Sequence, residues 1–188
     1  YHFVAAASYD LAGTTGLTSG DITGVVTATD GSSPVGVDRD DKVSLDITFG
    51  IDNAKRSTAL QGGAIWTYDL SSLVGANKDF SAVEDITTPQ NIYDSSYSAT
   101  EPVGTYTISN NVISIEITND DYATEDRTNI RVGVGAILDL NKVGVGPKNS
   151  TTLTLPGSTI DTADTISFKT AAIDVTESVY DDEVDSFK

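Results

Sequence analysis

VSLDITFGI, residues Val43–Ile51, alternates apolar and polar positions from end to end. In an extended chain successive side chains point to opposite faces, so Val43, Leu45, Ile47, Phe49 and Ile51 share one side. Ser44, Asp46 and Thr48 occupy the other. One greasy and one wet face is the signature of an antiparallel strand packed on a core. No segment of the chain shows a 3.6-residue apolar period over three turns with caps, so helices are few or absent.

The same reading extends outward. Upstream, Asp21–Thr29, DITGVVTAT, is β-branched and ends at the Asp30-Gly31 turn pair. Downstream, Gly63–Leu73, GAIWTYDLSSL, puts Trp66, Tyr68 and Leu70 on one side and Ile65, Thr67 and Asp69 on the other. Trp66 is the only tryptophan, and its place in this alternation reads as a core anchor rather than a sugar-stacking platform. Asn77–Thr100 has weak periodicity and predicts one or two short strands with a loop long enough to be functional. TYTISNNVISIEIT, within Gly104–Thr118, predicts a hairpin turning at Asn110-Asn111, because asparagine tolerates the left-handed backbone. Asn119–Asn129 reads as acidic and solvated. Ile130–Leu140 is a further strand, with Gly133 and Gly135 on one face where a neighbour could approach closely. Thr151–Leu155, stopped by Pro156-Gly157, and Thr165–Val175 complete the set.

Eight to ten short strands with turn-rich connections and no fixed-period repeat predict an all-β sandwich or barrel with antiparallel sheets. Residues 1–20 read as an N-terminal extension or edge strand, with Phe3–Tyr9 the pairing stretch. Residues 21–176 form one sandwich domain, and 177–188 an acidic tail or linker.

Charge narrows the partners. Eleven Lys and Arg stand against 28 Asp and Glu, a formal net charge of -17, so nucleic-acid phosphates and anionic lipid surfaces are repelled. Cationic ligands, metal ions and neutral proteins remain open. The absence of cysteine excludes disulfides, thiolate metal sites and thiol nucleophiles, and suits an exported protein. No apolar run approaches the ~20 residues of a membrane-spanning helix. The start, YHFVAAASYDLAG, lacks the cationic segment of a signal peptide.

Catalytic sets are thin. The only histidine is His2, near one end, which removes a serine triad and histidine-ligated zinc. Of the acids only Asp69 sits in an aromatic context, so paired-carboxylate glycoside chemistry has no obvious seat and the chain does not read as an enzyme. Calcium needs several oxygen ligands, and three acidic groups supply them: Asp38, Asp40 and Asp41; Asp120, Asp121, Glu125 and Asp126; and Asp181, Asp182, Glu183 and Asp185. The second is the best candidate. None has EF-hand spacing. Asn149-Ser150-Thr151 is a glycosylation sequon.

The order of motifs resembles the ligand-binding domains of Gram-positive cell-wall-anchored adhesins, the collagen- and fibrinogen-binding group. The similar pieces are Asp21–Ile51, GAIWTYDLSSL, the Gly104–Thr118 hairpin, and RVGVGAILDLN followed by KNSTTLTLPG. Ser71 stands where that family has a proline, and Gly63-Ala64 where it has Gly-Asp. The resemblance implies a variant immunoglobulin, Greek-key sandwich acting as a non-catalytic extracellular domain, cell-wall-anchored or secreted, beside neighbouring domains of a larger surface protein. It implies an extracellular protein or glycan ligand, laid in a groove or added to a sheet edge, with 77–100 and Gly133–Gly135 as the candidate surface. Many such domains carry an autocatalytic lysine–asparagine cross-link. Asn149 stands at the acceptor position, no lysine occurs between Ile22 and Thr29, and Lys42 is the nearest candidate partner. Two other roles fit the same fold: a stalk or pilin-type spacer, and a carbohydrate-binding or cohesin-like module, since TYDLSSL is similar to a cohesin strand.

Overall fold

The structure, a computed structural model, describes residues 8–12, 22–28, 36–37, 42–51, 65–124, 130–141, 150–157 and 165–168. Within them the chain is all-β apart from one 3-10 turn, Ser71–Leu73, and one short helix. The strands are β1 (Ser8–Asp10), β2 (Ile22–Ala28), β3 (Gly36–Val37), β4 (Lys42–Ile51), β5 (Ile65–Asp69), β6 (Phe80–Val83), β7 (Ile86–Ile92), β8 (Gly104–Ser109), β9 (Val112–Ile117), β10 (Ile130–Leu140), β11 (Ser150–Thr152) and β12 (Thr165–Phe168). The helix, α1, spans Asp120–Thr124.

Two main sheets form the sandwich. One has the order β1-β5-β9-β8-β7 and the other β2-β4-β10-β6, while β11-β12-β3 make a small third sheet. The alternation of Val43–Ile51 is realised: Val43, Leu45, Ile47 and Phe49 are fully buried while Lys42 and Asp46 face out. β4 pairs with β10 from Lys42↔Asp139 to Ile51↔Ile130, and β10 buries every second side chain along its length. On the other sheet Trp66, Tyr68 and Leu70 are buried and Asp69 is exposed, as the alternation requires. Phe49 and Tyr68 meet edge to face across the sandwich with ring centroids 5.1 Å apart, so the two diagnostic strands join in one core.

Tyr68 also shows why a buried tyrosine needs a partner. Its hydroxyl donates to Pro156 O at 2.7 Å, fixing the β11 end of the chain to the core. Burial, helped by the charge of Asp10, pushes the phenol far above its ordinary range, so it acts as a permanent donor.

The hairpin turns at Asn110 and Asn111, whose φ values of 51° and 67° are the positive pair a tight two-residue turn demands. At the other end of β8, a Cβ on Gly104 would clash with Glu116 O, so only glycine lets β8 lie this close to β9.

Several expectations change. The described strands number twelve rather than eight to ten, because short edge pieces escape a periodicity test. Pairing is not purely antiparallel: β1 joins β5 in parallel, and β3 joins β12 in parallel. β1 occupies Ser8–Asp10 at the sheet edge, and Leu11 behind it is in the core. Strand β11 ends at Thr152, yet Leu153 and Leu155 beyond it stay buried. Asn119–Thr124 is not solvated loop. Asn119 accepts from the Tyr122 amide at 3.0 Å through its side chain, capping α1, and Tyr122 and Ala123 are buried. One helical turn is too short to show a period, so the sequence conceals it.

Candidate functional site

Most residues singled out for chemistry are structural or lie outside the described residues. His2, Asp38, Asp40, Asp41, Asn149 and the 181–185 acids belong to the latter group. So do Glu125 and Asp126, which leaves Asp120 and Asp121 of that candidate calcium set exposed in the first turn of α1. Among the described residues no group of three or more His, Cys, Asp or Glu is arranged to hold a metal ion. Trp66 is completely buried and offers no face to a sugar. Asp69 is tied to Ser71, accepting from its amide at 2.8 Å and from its hydroxyl, which lowers its pKa and starts the 3-10 turn.

Lys42 forms an ion pair with Glu84, and Asp139 Oδ1 lies 3.8 Å from the same ammonium. The Glu84 contact, as hydrogen bond and as charge, raises the pKa of Lys42. A protonated ammonium is no nucleophile, so in this setting Lys42 works as a clamp between β4, β10 and the end of β6. The two carboxylates are pushed apart. Hydrogen bonding from Asp139, then Lys42, lowers Glu84, while burial and then Glu84 raise Asp139.

The 77–100 segment divides between the two sheets. Phe80–Val83 pairs with β10, whereas Ile86–Ile92 forms β7, the last strand of the five-stranded sheet. β7 pairs with β8 at Ile86↔Ile108 and Gln90↔Tyr106, so the stretch between them bulges. Thr87, Thr88, Pro89, Gln90 and Asn91 are all exposed. Tyr93, just past the strand, is 45% exposed and is the one large hydrophobic side chain on the surface among the described residues.

What holds this exposed strand in place is the connection behind it. Asp94 is buried, with Oδ1 accepting from Ser96 N at 2.9 Å and Ser96 Oγ at 2.7 Å. Its Oδ2 accepts from the Tyr122 hydroxyl at 2.8 Å. Tyr122 packs edge to face on Tyr97, and the Asn119 amide donates to Tyr97, Glu101 and Pro102. A carboxylate taken out of water this way is tolerable only because both its oxygens are satisfied. Sequence reasoning missed this anchor; the signal was the Asp94-Ser95-Ser96 step, an Asx-turn pattern.

Gly133–Gly135 is only partly the open face it suggested. Tyr106, reaching from β8, donates to Gly135 O at 2.9 Å and accepts from Gly135 N at 3.2 Å. The approach expected at these glycines is made from within the molecule at Gly135, while Gly133 stays exposed.

A depression of about 230 Å³ opens on the outer face of the five-stranded sheet, beside the β7 bulge. Pro89 and Ile65 form its apolar walls, and Thr105, Thr107, Ser114 and Glu116 supply polar groups. From Asp79 to Asp126 the sequence contains no Lys, Arg or His. Described residues of this sheet that carry charge are therefore acidic: Asp10, Asp69 and Glu116.

No protein-family model matches the sequence, and no curated protein matches it. Among solved structures, the chain is similar to the serine-rich repeat adhesion glycoprotein Srr1 of Streptococcus agalactiae, at 18% identity and a TM-score of 0.44, covering 79% of this chain and 46% of that one.

Proposed function

We propose that the chain is a non-catalytic extracellular binding domain of the bacterial surface-adhesin kind, one of several domains in a larger surface protein. Its ligand is an extended segment of a host or environmental macromolecule that adds to β7. The observation that carries this reading is the β7 edge itself: a strand with five consecutive exposed side chains, no strand beyond it among the described residues, and Tyr93 at its end. The outward backbone groups of an edge strand are a template for another strand, here on the Asn91–Ile92 side of Pro89, which has no N–H to donate, and an exposed tyrosine supplies apolar area with a polar tip. The Asp94 anchor keeps the edge preformed, so little ordering cost falls on binding. The motif order noted in the sequence supports the same role. Complete burial of Trp66 weighs against the carbohydrate-platform alternative.

The test is a panel of immobilised matrix proteins and glycans. Capture of at least one, with slowed amide exchange across Ile86–Ile92 and at least a fivefold weakening by Tyr93→Ala, supports the reading; ~1 kcal/mol of lost contact corresponds to that factor. Failure to capture any member of the panel would leave a spacer role and overturn it.

A further inference from the structure

We propose that the depression beside the β7 bulge is a receptor for a single lysine or arginine side chain of the extended partner. The inference rests on the binding reading above and specifies its chemistry. Size comes first. Small-molecule sites enclose roughly 300–1,000 Å³, whereas this depression, at about 230 Å³, has room for one long side chain and little more.

Its walls then select the side chain. Ile65 and Pro89 offer apolar surface to a hydrocarbon stem, and Glu116 with the Thr105, Thr107 and Ser114 hydroxyls offers oxygen acceptors to a head group. Lysine and arginine are the residues that bury their stems while keeping a cationic head on acceptors. A glutamate or phosphate would meet the Glu116 carboxylate with like charge.

The surroundings sharpen the choice. The three described basic residues, Lys42, Lys78 and Arg131, belong to β4, the connection before β6, and β10. None lies in the five-stranded sheet, so no cation within that sheet competes with an incoming one for Glu116. Pro89 belongs to β7, so one wall of the depression lies on the edge strand, and the depression runs from there across β8 to Glu116 on β9.

The experiment titrates the isotope-labelled full chain with short peptides of alternating threonine and valine that differ only in the central residue, arginine or glutamate. The arginine peptide is expected to shift the amides of Thr105, Thr107, Ser114 and Glu116. It should bind at least about tenfold tighter than the glutamate peptide, an advantage that added salt reduces. Glu116→Lys, at an exposed position, is expected to erase the advantage while leaving the urea midpoint close to that of the parent chain.

Equal binding of both peptides, or shifts confined to β7 with Glu116→Lys silent, overturns the side-chain receptor and leaves the edge reading standing. Should neither peptide bind, the same panel decides. Capture of a matrix protein that Glu116→Lys leaves unchanged overturns the receptor alone, and no capture of any kind overturns both.

Discussion

β10 and β7 are both strands of the sandwich and could hardly be used more differently. β10 pairs with β4 at ten successive positions and buries alternate side chains from Ile130 to Leu140. Among the described residues β7 pairs on one side only; it is interrupted by a bulge and exposes every side chain between Ile86 and Ile92. Burial of apolar area is what stabilises the fold, so β10 carries stability; β7 contributes little to it and keeps its surface available. Function on an edge strand then depends on something else to hold the strand still. Here that is the buried Asp94 network, together with core packing at the two ends of the strand, Ile86 and Ile92.

The contrast is broken most severely from the β10 side. Leu138 is fully buried, opposite Val43 of β4 and Val83 of β6. Leu138→Ala is expected to cost about 2–5 kcal/mol, the range for a large-to-small change in a close-packed core. The measurement is the urea midpoint at constant slope. A loss below about 1 kcal/mol would mean that β10 is not the stabilising member of the pair.

Next in size is the anchor. Asp94→Ala leaves the Tyr122 hydroxyl and the Ser96 donors without their shared acceptor, a loss of about 1–3 kcal/mol. Its distinguishing mark is local: amide exchange quickens across Tyr93–Val103 and in α1 while the β4–β10 pairing stays protected. Uniform loss of protection would instead merge the two regions into one cooperative unit.

The same contrast explains what could be read from the residues. Strands buried on one face write their period into the sequence, so Val43–Ile51 and Ile130–Leu140 are found with correct or nearly correct limits. The Asn110-Asn111 turn is equally plain because its backbone demands a special residue. β7 has no period to find, since no face of it is buried between its ends. β1 and β3 are short pieces paired in parallel to strands far off in sequence, a long-range choice that local propensity does not encode. The candidate site was legible only as a neighbourhood, 77–100. Its anchor, Asp94, meets Tyr122 across 28 residues, and the depression collects side chains from four strands.

A smaller effect tests the junction where the chain passes from β6 to β7. Glu84 holds Lys42 and sits against Asp139, and its pKa is lowered while that of Asp139 is raised. A depressed carboxylate stabilises the fold above its unfolded pKa, ~4.3 for glutamate, and loses that contribution as pH falls through the lowered value. Asp139 runs the opposite way: its raised pKa favours the fold at low pH, and the benefit disappears as pH rises through it. Glu84→Gln should therefore lower stability slightly at neutral pH, less than Asp94→Ala does, and the deficit should close on acidification. Thermal unfolding of both chains across the acid range measures it. A deficit that widens as pH falls would reverse the assignment of which carboxylate is favoured as the anion.

The smallest effect is the sharpest statement about β7. Thr88 is exposed in the bulge, and its backbone carbonyl accepts from the Gln90 side-chain Nε2 at 2.8 Å. Thr88→Ala keeps that carbonyl and removes a side chain that faces water, so the unfolding free energy should move by no more than about 0.5 kcal/mol. The same substitution trims the face a partner strand would cover, so ligand capture is the readout that should respond. A stability loss of core size would show that β7 is held by its own side chains, and the division of labour between the two strands would fail at the strand that defines it.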